Sequence, residues 1–189
     1  MGIRDAGALA WRLGEAGDPG GLDAYERERR PDVARTTTLA LRIGRVVQTR
    51  NPAAALVFRG LARGLNAVPG LRSRLGDRPM PPRRLPRAVA GPLPRAGEVL
   101  PNPRVRVAGG APVRLDEVIG YRWAFLGHGC DPRGVPGTDR DGAVHLALDL
   151  PAPPAGCRTL EDLDGLLEGE PGTVTAVRPD RFLLGVLPP

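Results

Sequence analysis

The sequence predicts an α+β chain: an N-terminal helical segment over residues 1–68, a Pro/Arg-rich linker over 69–103, and a small α/β part over 104–189. Three observations carry this. Apolar residues recur at helical spacing through the first third of the chain. Eight prolines then crowd residues 79–103. From Val105 onward, short β-branched and aromatic runs alternate with turn residues.

The first helix is expected over 3–16. Ile3, Ala6, Leu9, Ala10 and Leu13 fall three and four apart and form one apolar stripe, and Asp5 suits the positive end of the helix dipole. The Gly17–Gly21 stretch ends it. A second helix is expected from Leu22 to Arg30, with acids early and arginines late. Pro31 is expected to stop that helix and open a third, running to Gln48 with Val33, Thr37, Ala40, Leu41, Gly44 and Val47 on one side. A fourth follows over 52–66, with Leu56, Leu61 and Leu65 as its apolar side. At these spacings Trp11 and Tyr25 are expected to pack in a core.

The prolines of 69–103 exclude long regular elements and leave a linker or an extended strap over a neighbouring surface. Arg83, Arg84 and Arg87 lie among them, as anion-gripping or merely solvated side chains. Beyond it, strands are expected at Val105–Val107, Trp123–Leu126 and Ala143–Leu148, with a helical turn at Leu115–Ile119. Thr159–Leu167 reads as a helix capped by Thr159, with Asp162 at the third helical position. Thr173–Val177 and Phe182–Val186 form a hairpin around Arg178-Pro179-Asp180-Arg181.

Charge and cysteine content exclude several classes. The chain has 189 residues and a net charge of +6; all 27 basic residues are Arg. Residues 1–100 hold 18 Arg against 9 acids, and residues 101–189 hold 9 against 12. No aromatic stacking set interleaves with the arginines, so nucleic acid is not an expected partner. No apolar run reaches 18 residues and no secretory pattern opens the chain, so neither a membrane partner nor export is expected, and the expected compartment is the cytoplasm. Cys130 and Cys157 form no zinc pattern with a histidine, and no metal is expected.

Two stretches carry a resemblance. Gly2-Ile3-Arg4-Asp5-Ala6 leads into Leu9-Ala10-Trp11-Arg12-Leu13, and Leu22-Asp23-Ala24-Tyr25-Glu26-Arg27-Glu28-Arg29-Arg30-Pro31 follows at a matching distance. They resemble the end of the FAD domain in class A FAD-dependent aromatic-ring monooxygenases, where Gly-x-Asn-x-Gly-Ile-x-Asp-Ala precedes Leu-Ala-Trp-Lys-Leu and a Leu-x-x-Tyr-Glu-x-Glu-Arg-x-Pro helix. Gly97-Glu98-Val99-Leu100-Pro101-Asn102-Pro103 resembles the entry to that family's thioredoxin-like C-terminal domain. Val177-Arg178-Pro179-Asp180-Arg181-Phe182 resembles its closing Val-Arg-Pro-Asp-Gly-Tyr hairpin, with Arg181 where Gly is usual. The 3-(3-hydroxyphenyl)propionate hydroxylases are the nearest members by these motifs.

The resemblance implies a tail of an FAD domain followed by a thioredoxin-like domain. It implies an NAD(P)H- and O2-dependent hydroxylation of phenolic rings, with FAD as cofactor. Gly2 and Ile3 would lie at the helix N-terminus that faces the flavin; read without the resemblance, they are a frayed terminus. No catalytic residue is assigned. The Gly-x-Gly-x-x-Gly phosphate turn, the Gly-Asp motif and the substrate-covering sheet are not in these 189 residues. The resemblance therefore implies a late start, a truncated gene or one half of a split enzyme, inactive alone and completed by an upstream FAD domain or split partner chain. The alternatives are a non-catalytic interaction module, such as a homodimer, and a single-thiol redox protein centred on Cys130. Arg133 stands where a thioredoxin motif would carry its second cysteine, so a dithiol cycle is excluded there. His128 and His145 read as surface or structural histidines.

Overall fold

A computed structural model describes residues 2–14, 21–48, 52–67 and 84–189. The chain divides into two compact units: residues 1–29 with 83–189, and residues 30–82. The helices are α1 (Gly2–Gly14), α2 (Gly21–Val47), α3 (Pro52–Ala67), α4 (Arg87–Ala90) and α5 (Leu115–Ile119). The strands are β1 (Arg104–Val107), β2 (Val113–Arg114), β3 (Ala124–His128), β4 (Val144–Leu148), β5 (Arg158–Asp162), β6 (Val174–Val177) and β7 (Leu183–Leu187). The architecture is α+β.

All seven strands join one sheet in the order β2-β1-β5-β4-β3-β6-β7. β3, β4 and β5 run parallel to one another, and both flanks are antiparallel. β3 and β4 are mostly apolar and buried, as strands in the middle of a sheet tend to be, whereas β5 buries only Leu160. Every residue of β3 and of β6 is buried. Leu115 and Ile119 of α5 join Val105, Leu126, Leu146, Leu160 and Val177 in the main core, and Phe125, Val174 and Ala176 form a smaller core.

Four sequence expectations need correction. Residues 21–47 form one helix through Pro31, not two. The proline ring fixes φ in the helical range, so what is lost is one N–H bond to the Arg27 carbonyl, and the helix survives that loss. Thr159–Leu167 is not a helix. Its first half is β5, paired with β4 and β1. Thr159 Oγ1 donates to the Leu150 carbonyl instead of capping, and the Asp162 carboxylate accepts from the backbone N–H groups of Asp164, Gly165 and Leu167. Local capping chemistry lost here to two flanking strands that needed a partner. The five expected strands become seven with β2 and β5, and the β3–β4 connection carries only a 3-10 turn, Pro132–Gly134.

The fourth correction concerns α1. The expected stripe is not its packed side: Ala6, Ala10 and Leu13 are exposed, and Leu13 is 59% exposed. Ala8 and Arg12 are buried instead.

Residues 84–103 lie along β7. Leu85 N–H donates to the Gly97 carbonyl, Gly97 N–H to Leu183, Leu100 N–H to Arg181 and Val186 N–H to Pro94. In return, Leu183 N–H donates to Glu98. The segment thus satisfies the outer edge of the sheet, which would otherwise offer open backbone groups. Residues 68–83, which include the first part of the expected linker, lie outside the described residues.

In the second unit, α3 and the latter part of α2 carry Leu39, Leu41, Ile43, Leu56, Val57 and Leu61, each more than half exposed. Thr36 and Thr38 hydroxyls return to the Asp32 and Ala34 carbonyls four residues back.

Candidate functional site: a buried ion cluster where helix meets sheet

Arg12 enters from the last turn of α1, Glu28 from the first third of α2, and Arg178 and Asp180 from the turn between β6 and β7. Their side chains are 3%, 8%, 8% and 6% exposed, so all four charges are held away from water. Arg12 Nη2 donates to Glu28 Oε2 at 2.5 Å, and its Nη1 to the Ala8 carbonyl at 2.6 Å. Arg178 forks both ways: Nη1 and Nη2 donate to the two Glu28 oxygens at 2.9 Å, and Nε and Nη2 to the two Asp180 oxygens at 3.0 and 2.6 Å. Bidentate forks of this kind are the strongest geometry open to a guanidinium and a carboxylate.

Two cations and two anions balance. Burial alone would raise the Glu28 pKa, but hydrogen bonds and charge from Arg178 and Arg12 outweigh it and hold the carboxyl below its ordinary value. Burial likewise works against the Arg178 charge, and the two carboxylates reverse this and raise its pKa.

Aromatic rings frame the cluster. Trp11 and Trp123 meet edge to face at 5.7 Å. Arg12 lies 4.4 Å and Arg178 5.2 Å from the Trp11 ring, and Arg140 lies 3.9 Å from the Trp123 ring. Tyr25 and Phe182 lie 5.9 and 5.8 Å from the Arg12 and Arg178 guanidinia. Beside the cluster, Arg29 pairs with Asp5 in the first turn of α1.

Three of the four stretches that carry the family resemblance thus meet at one place: Trp11-Arg12, Tyr25 through Arg29, and Arg178-Pro179-Asp180. Sequence reading marked each as a motif and missed that they share one ion cluster. The signal was available as a charged residue, Arg12, inside an otherwise apolar helical run.

The other flagged residues do not join it. Gly2 opens α1, and the Ile3 side chain lies outside the described residues. Cys130 Sγ donates to the Thr173 carbonyl at 3.5 Å, and burial pushes its thiol up. Burial also raises the buried Cys157 thiol. His128 is buried, not on the surface: its Nε2 meets Thr175 Oγ1 at 2.9 Å, and burial lowers its pKa. His145 stacks on Phe125 and meets the Thr138 carbonyl through Nε2 at 2.9 Å. Arg84 pairs with Glu98 at 2.9 Å; Arg83 and the Arg87 side chain lie outside the described residues.

α1 and the start of α2 are thus joined by buried ion pairs to the turn between β6 and β7. Residues 97–189 match the family described as the HcaD C-terminal domain, and the chain is similar to 3-(3-hydroxyphenyl)propionate hydroxylases. It is 35% identical over 152 residues to a 3-(3-hydroxy-phenyl)propionate/3-hydroxycinnamic acid hydroxylase of Mycobacterium sp. (strain KMS), covering 73% of this chain and 26% of that protein. A hydroxylase of the same description from Klebsiella pneumoniae is 34% identical over 143 residues, covering 70% and 26%. The chain therefore spans about a quarter of the length of these relatives. Among solved structures it is similar to BexE, from BE-7585A biosynthesis, with a TM-score of 0.62 at 19% identity, covering 98% of this chain and 36% of BexE. It is also similar to the Diels-Alderase PyrE3 of pyrroindomycin biosynthesis, with a TM-score of 0.55 at 21% identity, covering 96% and 33%. These two likenesses concern fold alone, and a Diels-Alderase among them underlines that the fold does not specify the reaction.

Proposed function

We propose that this chain is the C-terminal portion of a flavin-dependent aromatic-ring hydroxylase, inactive alone and completed by an upstream FAD domain or a split partner chain. The observation that carries this is the convergence of three of the four motif stretches on one buried cluster. Each motif has a structural partner in the others, which an accidental match would not supply.

The fit to FAD extends to one edge of the flavin only. α1 begins at Gly2 with its unpaired backbone N–H groups, and Asp5 in that first turn is paired with Arg29, so the turn keeps a positive end for an anionic ring edge. Gly2 and Ile3 are the residues proposed there. The sequence holds no turn for the pyrophosphate. Bound FAD would supply the oxygen-activating redox chemistry; the residues present would only orient it.

The docking face for the missing part is proposed on two surfaces. One is the exposed stripe of α1, with Leu13 at its end; the other is the apolar surface of α2 and α3. Residues 30–82 hold ten arginines against two acids, so that unit suits an acidic partner surface. The finer reading of residues 104–189 as thioredoxin-like is supported by the parallel β3–β4 pair beside the antiparallel β6–β7 hairpin. Cytoplasmic placement remains a proposal, supported by two free cysteines. Among the described residues, no helix is long and apolar enough to cross a membrane.

The second reading, a non-catalytic dimerisation module, draws on the same exposed faces. A single-thiol enzyme is disfavoured, because a reactive cysteine needs a lowered pKa and that of Cys130 is raised. The test is flavin retention. Purified chain mixed with FAD should hold no stoichiometric flavin, and co-expression with the FAD-binding part of a similar hydroxylase should yield a yellow complex that oxidises NAD(P)H. Stoichiometric FAD on the chain alone would overturn the inactive-alone reading, and no complex with any FAD-binding part would overturn the hydroxylase reading.

A further inference from the structure

α1 is 13 residues long, and a helix of that length is marginal in water without tertiary support. Apolar contact supplies only part of that support among the described residues: Trp11 meets Trp123 edge to face, but Leu13 is exposed, and the described buried residues of α1 are Ala8 and Arg12. The polar part of the anchor comes from two consecutive residues of α2. Arg29 pairs with Asp5 in the first turn of α1, and Glu28 pairs with Arg12 in its last turn. α1 is therefore gripped at both ends, and two grips set its tilt where one would leave a pivot.

Glu28 is also the carboxylate that bonds both arginines of the cluster. Asp180 is engaged by Arg178 at 2.6 Å and stands 3.9 Å from Arg12. Without Glu28, two buried cations would face one anion, and Arg12 would have no close carboxylate.

We propose that Glu28 is a positioning residue: through Arg12 on one side and Arg178 on the other, it makes the sheet domain the mount that sets where α1 stands. Where the chain works as part of a flavin hydroxylase, which is the reading proposed above, Glu28 then sets the position of the Gly2 and Ile3 amides although its contact, Arg12, lies at the opposite end of α1. The sheet domain is in this sense part of the flavin site's framework.

The experiment is amide hydrogen exchange on the whole 189-residue chain, corrected for intrinsic rates, comparing unsubstituted protein with Glu28→Gln. The expected result is a loss of protection of about a hundredfold across residues 2–14, the consequence of breaking a buried ion pair. Amides of β3 and β4 should change by less than about threefold. Should Glu28→Gln fail to fold, Arg12→Met removes the α1 side of the contact and leaves Glu28, Arg178 and Asp180 together; the same selective loss is expected.

A pH profile separates positioning from bulk packing. The groups that face Glu28 are Arg12 from α1 and Arg178 and Asp180 from the β6–β7 turn, with the Arg29–Asp5 pair alongside. Protection of α1 in the unsubstituted protein should fall on acidification below the ordinary Glu value of 4.5, and Glu28→Gln should lack that Glu28 step. Unchanged α1 protection in Glu28→Gln overturns the proposal, as does equal loss in α1 and sheet in both variants. A chain that passes this test but joins no FAD-binding part would leave the role of Glu28 standing and remove only the hydroxylase reading.

Discussion

Glu28 and Arg178 stand 150 positions apart in the chain and share two hydrogen bonds of 2.9 Å in a buried site. That contact joins the start of a helix-rich sequence to the last hairpin of a sheet. It also makes residues 1–29 part of the same compact unit as residues 83–189.

Acid should release this junction before it unfolds the sheet. The folded-state pKa of Glu28 lies below its ordinary value, so its stabilisation is fully present above about pH 4.5 and is lost as pH falls through the folded value. Both tryptophans of the chain line the junction. Intrinsic fluorescence should therefore change in the acid range, ahead of loss of the far-ultraviolet sheet signal. Coincident transitions would contradict this.

Two arginines three positions apart should differ sharply in their sensitivity to substitution. Arg178→Met strands two buried carboxylates and should cost about 3–5 kcal/mol in urea unfolding. Arg181 sits at φ 72, the left-handed region that glycine enters freely. Arg181→Gly relieves about 1–2 kcal/mol of backbone strain. It forfeits about 0.4–1 kcal/mol of chain stiffness and the partly exposed pair with Asp116, worth about 0–1 kcal/mol. The net change should be within about 1 kcal/mol.

Asp162→Ala should cost about 1–3 kcal/mol, because it leaves three backbone donors of the Asp164–Leu167 turn without their acceptor. Urea unfolding monitored by circular dichroism measures it. A loss under about 0.5 kcal/mol, the scale of an ordinary surface change, would mean the turn holds without the carboxylate.

Iodoacetamide should alkylate Cys130 more slowly than free cysteine at pH 8, since burial raises its pKa and thins its thiolate. A rate above that of free cysteine would revive the thiol-enzyme reading.

Leu13→Gln and Leu61→Gln should leave stability within about 0.5 kcal/mol, as exposed substitutions do. They should weaken association with an FAD-binding part if these faces dock it; pull-down against the unsubstituted chain measures the difference.

The sequence by itself determined the α+β class, because helical apolar spacing and short β-branched runs are local signals. It also located α5, β1, β3, β4, β6 and β7 to within a few residues, and it marked Arg181 as standing at a glycine position. What only the tertiary structure decided was non-local. Thr159–Asp162 became a strand because β1 and β4 both lacked a neighbour there, and two ladders of backbone bonds outweigh one cap. Pro31 was carried inside α2, where a proline signal alone reads as a break. The packed side of α1 could not be read from its own pattern either. Ala6, Ala10 and Leu13 of its expected stripe are exposed, and its buried face includes Arg12, whose counter-charge Glu28 lies on another helix and is completed by Arg178, 150 residues further on. A buried charge is stable only opposite its partner, and where the partner stands is a property of the folded chain.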